Sequence, residues 1–79
     1  MTVKILGSGC NKCKSLEAKV KETIQTNNIN AGVEKVTDLN QMISYGILIT
    51  PGLVINEKVK SSGIIPSADQ ILSWLREVD

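Results

Sequence analysis

A chain of 79 residues lies at the small end of what can bury its own core, so residues 1–79 are expected to form one domain with a single site. Nine Lys+Arg against eight Asp+Glu leave a net charge of +1, neither the basic field of a nucleic-acid binder nor the acidic surface of a metal buffer. One Trp, one Tyr and no Phe leave few rings for stacking bases, and the absence of His excludes His-based hydrolytic triads and the commonest zinc ligand.

No run approaches the ~18 apolar residues of a membrane span. The opening MTVKILGSG is too short for a secretory signal, so the expected location is cytoplasmic. Thr2-Val3-Lys4-Ile5-Leu6 is β-prone, with Val3 and Ile5 on one face, and Gly7-Ser8-Gly9 ends it. From Cys10 the period changes. Cys13, Leu16, Val20 and Ile24 recur at helical spacing, which predicts an amphipathic helix ending near Asn27-Asn28.

Ala31 to Val36 is a weaker strand signal carried by Val33 and Val36. Asp38 with Gln41 resembles a capping box, and Leu39, Met42 and Ile43 predict the apolar face of a short helix stopped at Gly46. In Ile47-Leu48-Ile49-Thr50-Pro51-Gly52-Leu53-Val54-Ile55 the proline lacks a donor, so the strand should begin after it. Asn56-Glu57-Lys58 predicts a hairpin turn into Val59-Lys60-Ser61-Ser62, closed by Gly63. Ser67 with Gln70 is a second capping box, opening a last helix with Ile71, Leu72, Leu75 and Val78 on its apolar face and Trp74 at its edge. The order β-α-β-α-β-β-α predicts an α/β fold, a parallel crossover followed by an antiparallel hairpin in a four-stranded mixed sheet flanked by three helices.

Cys10 and Cys13 are the only cysteines. A bridge closing so short a loop restrains the unfolded chain by only about 2 kcal/mol, against ~3 for a loop of fifteen residues, so a structural staple explains them poorly. At the start of a helix the two sulfurs come within bridging reach. The unpaired N–H groups of the first turn and the helix dipole favour a thiolate there, lowering its pKa to roughly 3.5–7.5 in known sites, and Lys12 and Lys14 would add to this. Cys10 is then the exposed nucleophile. Cys13, on the buried stripe, would resolve the mixed disulfide. Other readings are two small buried hydrophobes at a helix start, and soft-metal binding, as Cu(I) or as a zinc shared between chains.

Gly9-Cys10-Asn11-Lys12-Cys13 after the first strand, Tyr45-Gly46-Ile47, Thr50-Pro51 before a strand and Gly63 late in the chain resemble the thioredoxin-like superfamily. Within it the likeness is to the small glutaredoxin-like redox-active disulfide proteins of bacteria and archaea, and it covers essentially the whole chain. The resemblance implies a thioredoxin-like domain and thiol–disulfide exchange as a reductase or electron carrier. It also implies that Pro51 is cis beside the cysteines, with the Thr50 backbone facing the site to pair with a substrate chain. Gly63 would permit the close approach of a partner, or is simply a turn glycine. The expected partners are protein disulfides and an upstream reductase. No cofactor, metal, nucleic acid or membrane is expected, and the chain is expected to be a monomer.

The Trp-Cys-Gly-Pro-Cys of larger thioredoxins is absent, since Ser8-Gly9 precedes Cys10 and Asn11-Lys12 fills the motif, so the redox potential does not carry over. No acid near the first strand offers itself as proton acceptor for Cys13. Glu17, a turn further on, is either that acceptor or a solvated helix residue, and Tyr45 reads as packing against the helix end. The chief rival is a copper chaperone of the heavy-metal-associated type, which carries Cys-x-x-Cys at a similar place. Those domains resemble one another in a β-α-β-β-α-β order and a Met two residues before the first Cys, where this chain has Ser8.

Overall fold

The structure, a computed structural model, describes residues 1–7, 11–47 and 49–77. Ser8, Gly9, Cys10, Leu48 and Val78, all used in the sequence reading, lie outside the described residues. The elements run β1 (Thr2–Leu6), α1 (Asn11–Thr26), β2 (Gly32–Val36), α2 (Leu39–Ser44), β3 (Gly52–Ile55), β4 (Lys58–Ser62) and α3 (Ala68–Arg76). The sheet order is β2-β1-β3-β4. β1 pairs with β2 in parallel, while β1 with β3 and β3 with β4 are antiparallel. This is the four-stranded mixed sheet with three helices expected from the order of elements, and the architecture that the resemblance implied.

The sheet is covered on both faces. Val3 and Ile5 of β1 and Leu53 and Ile55 of β3 pack with Leu16 and Val20 of α1 and Ile71 and Leu75 of α3. On the other face Leu6, Val36 and Val54 pack with Met42 of α2 and with Ile47. Leu53, Val54 and Ile55 are therefore all buried, which is why that strand reads as a continuous apolar run.

Helices α1 and α2 end in the same way. Asn28, at φ 54, donates to the Gln25 carbonyl at 3.3 Å while Ile29 donates to Ile24 at 3.0 Å. Gly46, at φ 76, donates to Ile43 at 2.8 Å while Ile47 donates to Met42 at 2.9 Å. These are Schellman closures, each followed by an isoleucine that returns to the core. Ser67 Oγ accepts from the Gln70 N–H at 3.1 Å, while Asp38 caps α2 by accepting from Asn40 rather than Gln41.

Four local expectations change. The hairpin turn is two residues, Asn56 and Glu57, at φ 50 and 69, a pair of positive-φ positions whose twist matches that of the flanking strands, so Lys58 already pairs with Ile55. A register shift between Leu53 and Val54 leaves Lys60 as the extra residue of β4. In α1 it is Thr23 that is fully buried, its hydroxyl returned to the Lys19 carbonyl at 2.8 Å, with Ile24 packed at the margin. In α2 only Met42 is buried; Leu39 and Ile43 are 67% and 56% exposed, because a helix of six residues presents one turn to the sheet.

Tyr45 does more than pack. Its hydroxyl accepts from Lys4 Nζ at 2.9 Å and donates to Glu57 Oε2 at 2.7 Å, and Lys4 pairs with Glu57 Oε1 at 3.0 Å. This network ties the end of α2 to β1 and to the hairpin turn. It holds the Glu57 carboxyl below the usual range, first through Tyr45 and then through Lys4, and holds Lys4 protonated above the usual lysine range through the same two partners.

Two predictions follow from these contacts. Because the Glu57 shift is downward, its stabilisation is present above the ordinary carboxylate pKa of about 4.3 and lost as pH falls through the folded value. Tyr45→Phe is expected to lower stability in urea melts at pH 6–8, with the gap to wild type narrowing below about pH 4; a gap unchanged at pH 3 would contradict the network. Leu16→Ala, at a fully buried position, is expected to cost about 2–5 kcal/mol. Ile43→Ala should stay within about 0.5 kcal/mol, and similar costs at the two positions would refute the packing described.

Candidate functional site

The site is assembled where three segments end. β1 finishes at Leu6, and the Gly7 N–H continues the pairing by donating to the Val36 carbonyl at 2.9 Å. The chain turns into α1, whose first turn carries no acidic residue to oppose a thiolate. Cys13 falls on the same helical stripe as Leu16 and Val20 and is 4% exposed, which matches its expected burial. Its sulfur is held in a disulfide.

The third segment approaches from α2. The Thr50-Pro51 peptide is cis, as the resemblance implied, and Pro51 is fully buried while Thr50 is half-buried. Gly7 measures how close these pieces are. A Cβ placed there would overlap Cys13 Sγ and lie 3.2 Å from Cys13 Cβ and 3.7 Å from Thr50 Cβ. The resolving-cysteine candidate and the loop before the proline therefore flank one glycine. Among the described residues, the Thr50 main chain makes no hydrogen bond.

The cis-proline loop is held from β4. The Gly63 N–H donates to the Pro51 carbonyl at 2.8 Å, and Ser62 Oγ donates to the Ile49 carbonyl at 2.8 Å. Gly63 sits at φ 80, and a Cβ there would come 2.7 Å from Ile49 Cγ2. Positive φ and a close approach inside the chain both call for glycine at this position. Gly52 likewise leaves room for Ile47, whose Cγ2 would lie 3.1 Å from an added Cβ.

Lys12 and Lys14 are exposed on α1. Glu17 is not a solvated helix residue: its side chain is 16% exposed and pairs with Lys21 at 3.1 Å and Lys35 at 3.7 Å. That pairing bridges α1 to β2, a contact between distant segments that helical spacing could not reveal. Two features went unnoticed in the sequence. Gly7 looked like the end of a strand, and Ile49 like part of an apolar run, yet Ile49 is 66% exposed beside Thr50, with Ile64 57% exposed just after Gly63. Neither carried a local signal, because each acquires its setting from how the elements pack rather than from residues beside it in the chain.

No helix among the described residues is long and apolar enough to cross a membrane. Residues 1–76 match the family model described as "Thioredoxin domain". The chain is 32% identical over 76 residues to a thioredoxin of Methanocaldococcus jannaschii, covering 96% of this chain and 87% of that protein. It is 31% identical over 71 residues to a thioredoxin of Methanothermobacter thermautotrophicus, covering 90% of this chain and 92% of that one. With near full-length similarity on this β-α-β-α-β-β-α frame, the chain belongs to the thioredoxin family.

Proposed function

We propose that the protein is a thiol–disulfide oxidoreductase that transfers two electrons between the Cys10/Cys13 dithiol and disulfides of other proteins. The observation that carries this reading is the convergence of a buried, disulfide-bonded Cys13 with the Thr50–cis-Pro51 loop around Gly7. Cys10 is the only other cysteine of the sequence and is taken as its partner.

In the reducing direction the Cys10 thiolate attacks one sulfur of the substrate disulfide, and the S–S bond breaks as the new bond forms. The departing substrate thiolate takes a proton. Cys13, losing its proton, then attacks the Cys10 sulfur, forms the Cys10–Cys13 bond and releases the second substrate thiolate. Two electrons have passed from the dithiol to the substrate, and an upstream dithiol reductase restores the starting state by the reverse exchange. Low exposure suits Cys13 to this second role, since a covered sulfur meets the tethered intermediate rather than free thiols. Lys12 and Lys14 are assigned to stabilising the Cys10 thiolate, Thr50 and Pro51 to aligning the substrate chain, and Gly63 to holding that loop open to it.

The element order weighs against a copper-carrying function for the same cysteines, because a second helix, α2, follows β2 where those domains have a third strand. A reducing compartment such as the cytosol suits this chemistry.

Reduced protein is expected to accelerate the dithiothreitol-driven reduction of insulin, and Cys10→Ser to abolish the acceleration. Activity retained in Cys10→Ser would sink the assignment. Cys10 is also expected to alkylate faster than Cys13 at neutral pH, as resolved by mass spectrometry of labelled peptides. Equal rates at the two thiols would contradict the division of roles.

A further inference from the structure

Gly7 is the residue at the site for which the exchange scheme provides no task. It is buried, and its backbone is outside the left-handed region, so conformation alone would admit any residue there. Space is what excludes a side chain. The overlap of an added Cβ is with Cys13 Sγ, and Cys13 cannot easily retreat, because it is buried on the stripe that α1 presses against the sheet and its sulfur is tied in a disulfide. Thr50 Cβ would lie in ordinary contact with the added atom, at 3.7 Å.

We propose that Gly7 is a positioning residue for the resolving sulfur: the missing side chain makes the room in which Cys13 Sγ sits in the disulfide form, and so sets the balance between disulfide and dithiol. This inference rests on the exchange reading above. A methyl group at residue 7 collides with the sulfur where the disulfide holds it. In the dithiol the S–S bond no longer fixes the Cys13 side chain, which can turn away from the strand end. The methyl therefore raises the disulfide form more than the dithiol form.

The balance is read directly in glutathione buffers. Two glutathione thiols give up two electrons and become glutathione disulfide, the Cys10–Cys13 bond breaks, and the two protons pass to the protein thiols. In full-length Gly7→Ala the equilibrium is expected to move toward the dithiol by about tenfold or more, equivalent to ~30 mV for a two-electron couple. An equilibrium equal to wild type overturns the proposal, as does a shift toward the disulfide.

Leu75→Ala in α3 separates this from loss of packing, and is a cleaner control than a change at Gly52, which adjoins the cis-proline loop. It is expected to lower the melting temperature and leave the glutathione equilibrium unchanged. An equal shift in both variants also counts against Gly7.

Where Gly7→Ala folds too poorly to titrate, a double-mutant cycle with Cys13→Ala decides. With the sulfur removed, Gly7→Ala is expected to regain most of its lost stability. A cost as large without the sulfur as with it overturns the proposal. Failure of wild-type protein to reduce insulin would instead overturn the exchange reading, while the equilibrium and the cycle would still report on Gly7 and Cys13.

Discussion

The two central strands are buried on both faces, and the other parts of the molecule follow from that burial. Val3 and Ile5 face one layer of helices while Leu6 faces the other, and Leu53, Val54 and Ile55 alternate in the same way. A domain with no Phe must fill both layers with aliphatic side chains, so α1 and α3 are needed on one side and α2 with Ile47 on the other. With β1 and β3 held side by side and antiparallel, the end of β1 and the start of β3 fall together at one end of the sheet. Cys13 and the cis-Pro51 loop are delivered to that end by the elements attached to those strands.

Close approach at this end depends on residues that lack side chains. Gly7 lies against the sulfur of Cys13, Gly63 against Ile49, and Gly52 against Ile47. Together with the approach of Thr50 to Gly7, these contacts form a continuous chain of touching parts from α1 to β4. The Gly63 N–H to Pro51 carbonyl bond and the Ser62 hydroxyl to Ile49 carbonyl bond complete it. Thr50 lies between these anchors with its main chain turned to no partner among the described residues.

The opposite end of the sheet is held by polar contacts. Tyr45, Lys4 and Glu57 link α2, β1 and the hairpin turn, and Thr2 and Asn56 exchange bonds across the same region, at 2.9 Å through the main chain and 3.2 Å through the Asn56 side chain. In so small a domain such contacts keep the hairpin in register where little core is available.

By itself the sequence determined the order and approximate bounds of all seven elements, because periodicity, two capping serine or aspartate residues, Gly46 and Pro51 are local signals with local causes. It also marked the Cys-x-x-Cys pair and, through family resemblance, the cis bond at Pro51. What only the tertiary structure decided is how the elements pack against one another. The exposure of Leu39 and Ile43, the pairing of Glu17 with Lys35, the Tyr45 network and the seating of Cys13 on Gly7 depend on which surfaces the sheet brings together. Gly7 shows the difference most plainly. As a residue in a sequence it ends a strand, and only the folded chain reveals that a sulfur occupies the space its side chain would have filled.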